Sequence, residues 1–148
     1  MEIMVVLILA SQLLFQTPPA SSQNLDSVTV PDDVASIDQA IALVSEGGTV
    51  TVKGGEYGEF LRITKPLALK GIGGPLLYEP IVVDSTRDVV IEGFRIAISP
   101  PGTETALTIY NSTGVNVEDM AILDSGVIVV ESNEVAFRNS SFLWSPGP

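Results

Sequence analysis

The apolar and polar positions of this chain follow one eight-residue pattern that occurs four times. Apolar residues take the first, third, sixth and eighth places in segments 89–96 and 115–122. Segment 135–142 matches except for Ser140 at its sixth place, and segment 67–74 matches except for Gly74 at its last. Copies that follow one another at so short a period are typical of a stacked solenoid.

Stacking of the copies predicts columns of equivalent side chains, one residue from each turn. The predicted apolar columns are Leu67, Val89, Val115 and Val135; then Leu69, Ile91, Val117 and Phe137; then Ile72, Phe94, Met120 and Ser140. A short β-branched half-strand and a polar corner precede each later copy. Strands of this kind at this period predict an all-β fold, a short parallel β-helix whose turns lie about 4.8 Å apart.

One helix is predicted near the N-terminus. Ser36 with Gln39 forms a capping box, and the apolar positions from Ile37 to Val44 follow helical spacing. Gly47-Gly48 is the predicted stop. Because so short a helix is unstable alone in water, we expect it to cap the first turn of the solenoid.

The division of the chain follows from these patterns. Residues 1–22 are predicted to be a signal peptide, since the apolar run Met4 to Phe15 is too short for a membrane span and is followed by small residues. Residues 23–27 would form a linker, 28–48 the first strand and capping helix, 49–144 the β-helix and 145–148 a tail. The mature protein is expected to be secreted or held at the cell surface, without a stable membrane span.

Composition narrows the functions open to the chain. Without residues 1–22 it has 17 acidic and 7 basic residues, a net charge of −10, which makes nucleic acid an unexpected partner. Cysteine and histidine are absent. Thiolate chemistry and a Ser-His triad are therefore excluded.

The opening of the chain resembles the pectin-lyase-like right-handed β-helix superfamily. The resemblance lies in Val28-Thr29-Val30-Pro31-Asp32-Asp33, Ile37-Asp38-Gln39-Ala40-Ile41, Gly48-Thr49-Val50-Thr51-Val52 and Ile63 to Gly71. It is strongest for the carbohydrate-binding and sugar-hydrolase type of domain, and extends over about residues 28–142. It implies the fold, while the superfamily contains lyases, hydrolases, esterases, adhesins and non-enzymatic modules.

A charged column is predicted on the outer surface, consisting of Lys70, Glu92, Glu118 and Arg138. Glu92 and Glu118 would stand about 5 Å apart, a separation that suits a retaining glycosidase. With Asp119 they would also suit calcium. In the favoured interpretation the column is a ladder in which Lys70 pairs with Glu92 and Arg138 with Glu118. No cofactor other than such a calcium ion is expected.

Further candidate residues lie near an inserted loop, Ser99 to Thr105. Glu104 and the corner residue Tyr110 are candidate ligand-binding residues. Asn111 and Asn139 match the acceptor pattern for N-glycosylation.

The C-terminal end of the predicted solenoid is expected to have no cap. No segment after Phe142 looks like a cap, so the last turn would expose Phe137 and Phe142 unless Leu143 and Trp144 fold over it, the protein associates end to end, or the chain is part of a longer one.

The expected function is an exported non-catalytic module that binds carbohydrate or acts as a surface or assembly element. The alternative is a polysaccharide-acting lyase or hydrolase, or a fragment of one, in which Glu92, Glu118 and Arg138 are catalytic.

Overall fold

The computed structural model of the protein describes residues 25–98 and 105–144, which form a parallel β-solenoid. The elements are β1 (Leu25–Val30), α1 (Ile37–Leu43), β2 (Val44–Lys53), β3 (Glu56–Tyr57), β4 (Leu61–Ile63), β5 (Leu67–Ile72), β6 (Leu76–Leu77), β7 (Ile81–Asp84), β8 (Arg87–Glu92), β9 (Arg95–Ala97), β10 (Thr105–Tyr110), β11 (Thr113–Glu118), β12 (Ala121–Leu123), β13 (Gly126–Val130), β14 (Asn133–Arg138) and β15 (Ser141–Leu143). The predicted signal peptide and most of the inserted loop lie outside the described residues.

Three parallel sheets run along the solenoid. The first has the order β1-β2-β5-β8-β11-β14, the second β4-β7-β10-β13 and the third β3-β6-β9-β12-β15. Every strand pair in them is parallel. From β4 onwards, each turn of the chain adds one strand to each sheet, as the repeat pattern predicts.

Two of the predicted apolar columns are confirmed residue by residue. Leu67 lies opposite Val89, which lies opposite Val115 and then Val135. The column from Leu69 to Phe137 has the same register. Side chains of these columns are fully buried up to Val115 and Val117, so they form the core along the solenoid axis.

The third predicted column is wrong at its first member. Ile72 is 61% exposed, at the end of β5. Leu76 is the partner of Arg95, so the buried residue level with Phe94 is Pro75. Likewise the last apolar place of the pattern, which Ile96 takes in the next copy, is taken here by Leu77 and not by Gly74. Counted between paired positions, this turn contains three more residues from β5 to β6 than the next turn has from β8 to β9. A pattern of fixed length does not allow for this insertion.

The predicted helix forms but ends earlier than expected. Ser36 Oγ accepts a hydrogen bond from the Gln39 amide at 3.2 Å, and Ile37, Ala40 and Ile41 are buried against β1, β2 and β4. The helix therefore covers apolar side chains of the first turns. It ends at Leu43, and the strand that follows begins at Val44.

The predicted stop at Gly47-Gly48 is therefore wrong. Leu25 pairs with Val44 but Ser27 pairs with Thr49, so residues 45–48 form a bulge within β2. Gly47 has φ of +76°, a value that favours glycine. The two glycines serve this bulge, not the end of the helix.

Residues in the left-handed backbone conformation (positive φ) occupy equivalent positions at the corners of successive turns. Ser85, Asn111 and Glu131 share φ values between 45° and 52°. The same conformation occurs in Asp88, Gly114 and Glu134, and again in Gly93, Asp119 and Asn139. Asn, Asp and Gly tolerate this conformation best, so the polar corners in the sequence have a backbone cause.

No helix among residues 25–98 and 105–144 is long and apolar enough to cross a membrane.

Candidate functional site

The charged column predicted from the repeats is present on the outer face of the first sheet. Lys70 lies opposite Glu92, Glu92 opposite Glu118, and Glu118 opposite Arg138. The strands β5, β8, β11 and β14 thus bring the two carboxylates of Glu92 and Glu118 to neighbouring turns.

Both carboxylates are used in ion pairs. Lys70 Nζ lies 3.2 Å from Glu92 Oε1, and Arg138 Nη1 lies 3.2 Å from Glu118 Oε1. These are the two pairs of the predicted ladder. The side chains are partly exposed, and pairs of this kind each stabilise a fold by about 0.2–1 kcal/mol.

Asp119 lies beside this column at a corner. Its φ is 50°, and Asn139 Nδ2 donates a hydrogen bond to its Oδ1. Within the part of the chain that the structure describes, there is no group of three or more acidic residues placed to hold a metal ion. The geometry here is a charge ladder with a polar corner beside it.

A second polar cluster surrounds Tyr110, at the end of β10. Glu131 raises the pKa of the Tyr110 hydroxyl by its charge and by a hydrogen bond, and Asp84 adds a smaller effect. Tyr110 lies directly opposite Asp84 and is partly exposed. The ring therefore stands at an acidic corner, and the other predicted ligand residue, Glu104, lies outside the described residues.

Asp84 itself is held in its charged form. A hydrogen bond from Arg62 lowers the pKa of the Asp84 carboxyl, and a hydrogen bond from Ser85 Oγ at 2.7 Å adds to the effect. Sequence reasoning misses the Arg62–Asp84 pair. The signal that could have found it is its separation along the chain, which equals the first repeat interval, from Leu67 to Val89.

The two predicted glycosylation sites are exposed corner residues. Asn111 Nδ2 donates to Ser85 Oγ at 3.3 Å, and Asn139 donates to Asp119. Each amide thus links its own turn to the one before it. Glycan attachment at either residue stays a prediction.

An open depression of about 470 Å³ lies on the first sheet, away from the predicted site residues. Its lining includes Glu46, Pro66, Arg87 and Asp88. Neither carboxylate of the charged column contributes to it. The depression therefore gives Glu92 and Glu118 no enclosed binding site.

The C-terminal turn, β13 to β15, differs from every turn before it. Ile109, Val117 and Ile122 are fully buried, whereas their partners one turn later, Val129, Phe137 and Phe142, are 44%, 37% and 52% exposed. Trp144 is 70% exposed, so it does not fold over this turn, which was one of the predicted alternatives. The predicted exposure of Phe137 and Phe142 is confirmed.

No protein-family model, no curated protein and no solved structure matches this chain.

Proposed function

We propose that the protein is a non-catalytic assembly module that associates with copies of itself through the C-terminal turn. The observation that carries this proposal is the contrast between equivalent residues. Val129, Phe137 and Phe142 belong to columns whose members in the three preceding turns are fully buried. Large apolar side chains that remain exposed beside free strand edges favour association.

The state of the charged column also supports a non-catalytic role. Lys70 and Arg138 each neutralise one of the two carboxylates at 3.2 Å. A glycosidase applies its two carboxyl groups to the bond that it breaks. Each carboxylate of this column instead contacts a cation of the same chain.

Sedimentation velocity over a range of concentrations tests the proposal with matched variants. Phe142→Ser removes an apolar side chain from the C-terminal turn, and Phe60→Ser removes one that is similarly exposed (54%, against 52% for Phe142) but lies before β4. We expect the full chain to associate, and Phe142→Ser to raise the dissociation constant about tenfold or more. Phe60→Ser should leave it unchanged. A chain that stays monomeric throughout, or equal effects of both variants, would contradict the proposal.

Export, membership of the pectin-lyase-like superfamily and carbohydrate binding are further parts of the proposal. They are supported by the apolar run Met4 to Phe15 and by the opening motifs of the chain. The exposed ring of Tyr110 offers a surface on which a sugar could stack. Retention on a glycan array that Tyr110→Ala abolishes is the expected result, and no retention would leave the assembly role alone.

A second candidate function, a polysaccharide lyase or hydrolase, is favoured by one observation, the direct opposition of Glu92 and Glu118. Its test is incubation with acidic polysaccharides with and without calcium. Release of unsaturated or reducing ends that is lost in Glu92→Gln and Glu118→Gln would establish this activity and displace the assembly role as the main function.

A further inference from the structure

We infer that two copies of the chain pair through the free edge of β14, antiparallel and about a two-fold axis at Ala136. This inference rests on the proposed function and specifies its geometry. It follows from four features of the described residues: the free edge itself, the direction of its backbone groups, its charges, and the covered opposite end.

Each of the three sheets ends in an edge strand at the C-terminal turn. Among the described residues, β13, β14 and β15 have one neighbouring strand each, namely β10, β11 and β12. The apolar side chains Phe137 and Phe142 are exposed beside this edge. A partner that adds a strand would cover both the backbone groups and these side chains.

Among the described residues, the opposite end of the solenoid also has an edge strand, since β1 has one neighbouring strand, but its inward apolar side chains are covered. Val28 and Val30 of β1 are fully buried, and α1 buries Ile37 and Ala40 against the first strands. Head-to-tail stacking would therefore place an open apolar turn on a covered one. Contact between two identical C-terminal turns covers both of them, which is the isologous arrangement of a two-fold dimer.

Backbone directions along β14 fix which residues can pair across the axis. The Arg138 carbonyl accepts a hydrogen bond from the Asp119 amide, so it points towards the preceding turn. Because backbone groups alternate along a strand, those of Ala136 also point towards β11, and those of Val135 and Phe137 point to the free edge. In an antiparallel pair centred on Ala136, Val135 of each copy would thus exchange hydrogen bonds with Phe137 of the other.

The charged residues of β14 also favour an antiparallel pair centred on Ala136. Pairing about Ala136 places Glu134 opposite Arg138 of the second copy, and the two-fold axis repeats that pair. Both residues are exposed. Arg138 already contacts Glu118 of its own chain at 3.2 Å, so in the dimer it would lie between that carboxylate and Glu134 of the second copy. Ala136, at the axis, has the small side chain that close approach of two identical residues requires. The pairing also keeps outward side chains on the outer face of the sheet and inward side chains on the inner face. Ala136 lies in the outward column with Asn116, while Val135 and Phe137 continue the inward columns.

Cysteine cross-linking tests the axis directly, because the chain contains no cysteine. A residue that faces its own copy as a non-hydrogen-bonded pair has its two Cα atoms about 4.5 Å apart, within the range of a disulfide. Ala136→Cys should therefore form a covalent dimer under a mild oxidant. Asn116→Cys is the matched control, since it lies in the same outward column but between β8 and β14. We expect no dimer from the control, and equal cross-linking of both variants would overturn the inference.

Charge exchange tests the register. Glu134→Lys alone and Arg138→Glu alone each place like charges at two positions of the homodimer, and each should weaken self-association about tenfold. A mixture of the two variants restores both opposite-charge pairs in the mixed dimer. Sedimentation should therefore show dimer in the mixture at concentrations where each variant alone is monomeric. A mixture no more dimeric than its components would overturn the register.

The outcomes separate this inference from the proposed function. If the unmodified chain associates and Phe142→Ser weakens it, but Ala136→Cys does not cross-link, the two-fold pairing is wrong and the assembly role stands. If the unmodified chain is monomeric at all concentrations, the assembly role fails and the pairing fails with it.

Discussion

Two apolar residues that the repeat pattern places in one column, Ile72 and Phe94, lie in very different surroundings. Phe94 is fully buried before β9, while Ile72, its predicted neighbour in the same column, is 61% exposed. The residue that takes the place of Ile72 is Pro75, three positions later. The turn can hold Ile72, Gly73 and Gly74 as an outward excursion because both glycines have positive φ.

Substitutions at these two positions should differ sharply in cost. Phe94→Ala should lower the free energy of unfolding by about 3–5 kcal/mol, since it empties a buried ring volume. Ile72→Ala should lower it by no more than about 0.5 kcal/mol, since the side chain is largely exposed. Urea denaturation followed by circular dichroism measures both. Similar losses from the two variants would show that Ile72 belongs to the core column after all.

A titration prediction follows from the Arg62–Asp84 pair. The carboxyl of Asp84 should titrate below its ordinary pKa of 3.8, because Arg62 and Ser85 hydrogen-bond to its charged form. A lowered folded-state pKa adds stability that is present above pH 3.8 and is lost as the pH falls through the lowered value. Arg62→Met should therefore move the Asp84 midpoint upwards and reduce stability at neutral pH but not in strong acid.

Carboxyl carbon NMR shifts measure the Asp84 midpoint. Arg87→Met is the control, because Arg87 pairs with Asp88 at 3.8 Å instead, and it should leave the Asp84 midpoint in place. An unchanged midpoint in Arg62→Met would contradict the assignment of the pKa shift to Arg62.

At the scale of elements, the sequence predicts what repeats and misses what interrupts the repeats. The columns through Leu67 and Leu69 follow from one pattern, because each residue meets its counterpart in the next turn. The end of α1 could not be predicted in this way. Val44 fits the helical spacing, yet it pairs with Leu25 as the first residue of β2, a tertiary contact that local spacing does not encode.

The start of α1 shows the same division between local and tertiary signals. The spacing of Ser36 to Gln39 predicts an N-cap, and the Ser36 hydroxyl does accept the Gln39 amide. Glu59, from the corner before β4, also accepts hydrogen bonds from the Ile37 and Asp38 amides, at 3.3 and 3.2 Å. No local pattern in the sequence points to Glu59, since all of β2 and β3 separates it from the helix along the chain.

The N-cap of α1 at Ser36 predicts that two substitutions of this residue differ in stability. Ser36→Ala should lower the free energy of unfolding by about 1 kcal/mol because the Gln39 amide loses its acceptor. Ser36→Asp, which keeps an acceptor at the cap, should be close to the unmodified protein. Thermal or urea unfolding compares the two variants. Equal losses from Ala and Asp would show that the hydroxyl does not act as a cap.

At the scale of the whole molecule, the fold could be predicted and the site only in part. The outward column Lys70, Glu92, Glu118 and Arg138 is predicted correctly because it follows from the same register as the core. The acidic corner around Tyr110 depends on Arg62, Asp84 and Glu131, which come from three different turns. A site assembled across turns is visible in the sequence only once the turn boundaries are known.

The C-terminal turn gives the molecule its polarity. Among the described residues, α1 covers apolar side chains at one end of the stack, and at the other end β13, β14 and β15 each have one neighbouring strand, with Phe137 and Phe142 exposed beside them. Both the proposed assembly role and the two-fold pairing depend on the parallel register that creates this difference. A solenoid with another register would expose other side chains at its end.

Backbone nuclear Overhauser contacts in isotope-labelled protein therefore test the account most directly. The parallel register predicts contacts that link Val117 both to Ile91 in the turn before it and to Phe137 in the turn after it. Close contacts between the Cα hydrogens of β10 and β11, the signature of an antiparallel hairpin, would contradict it.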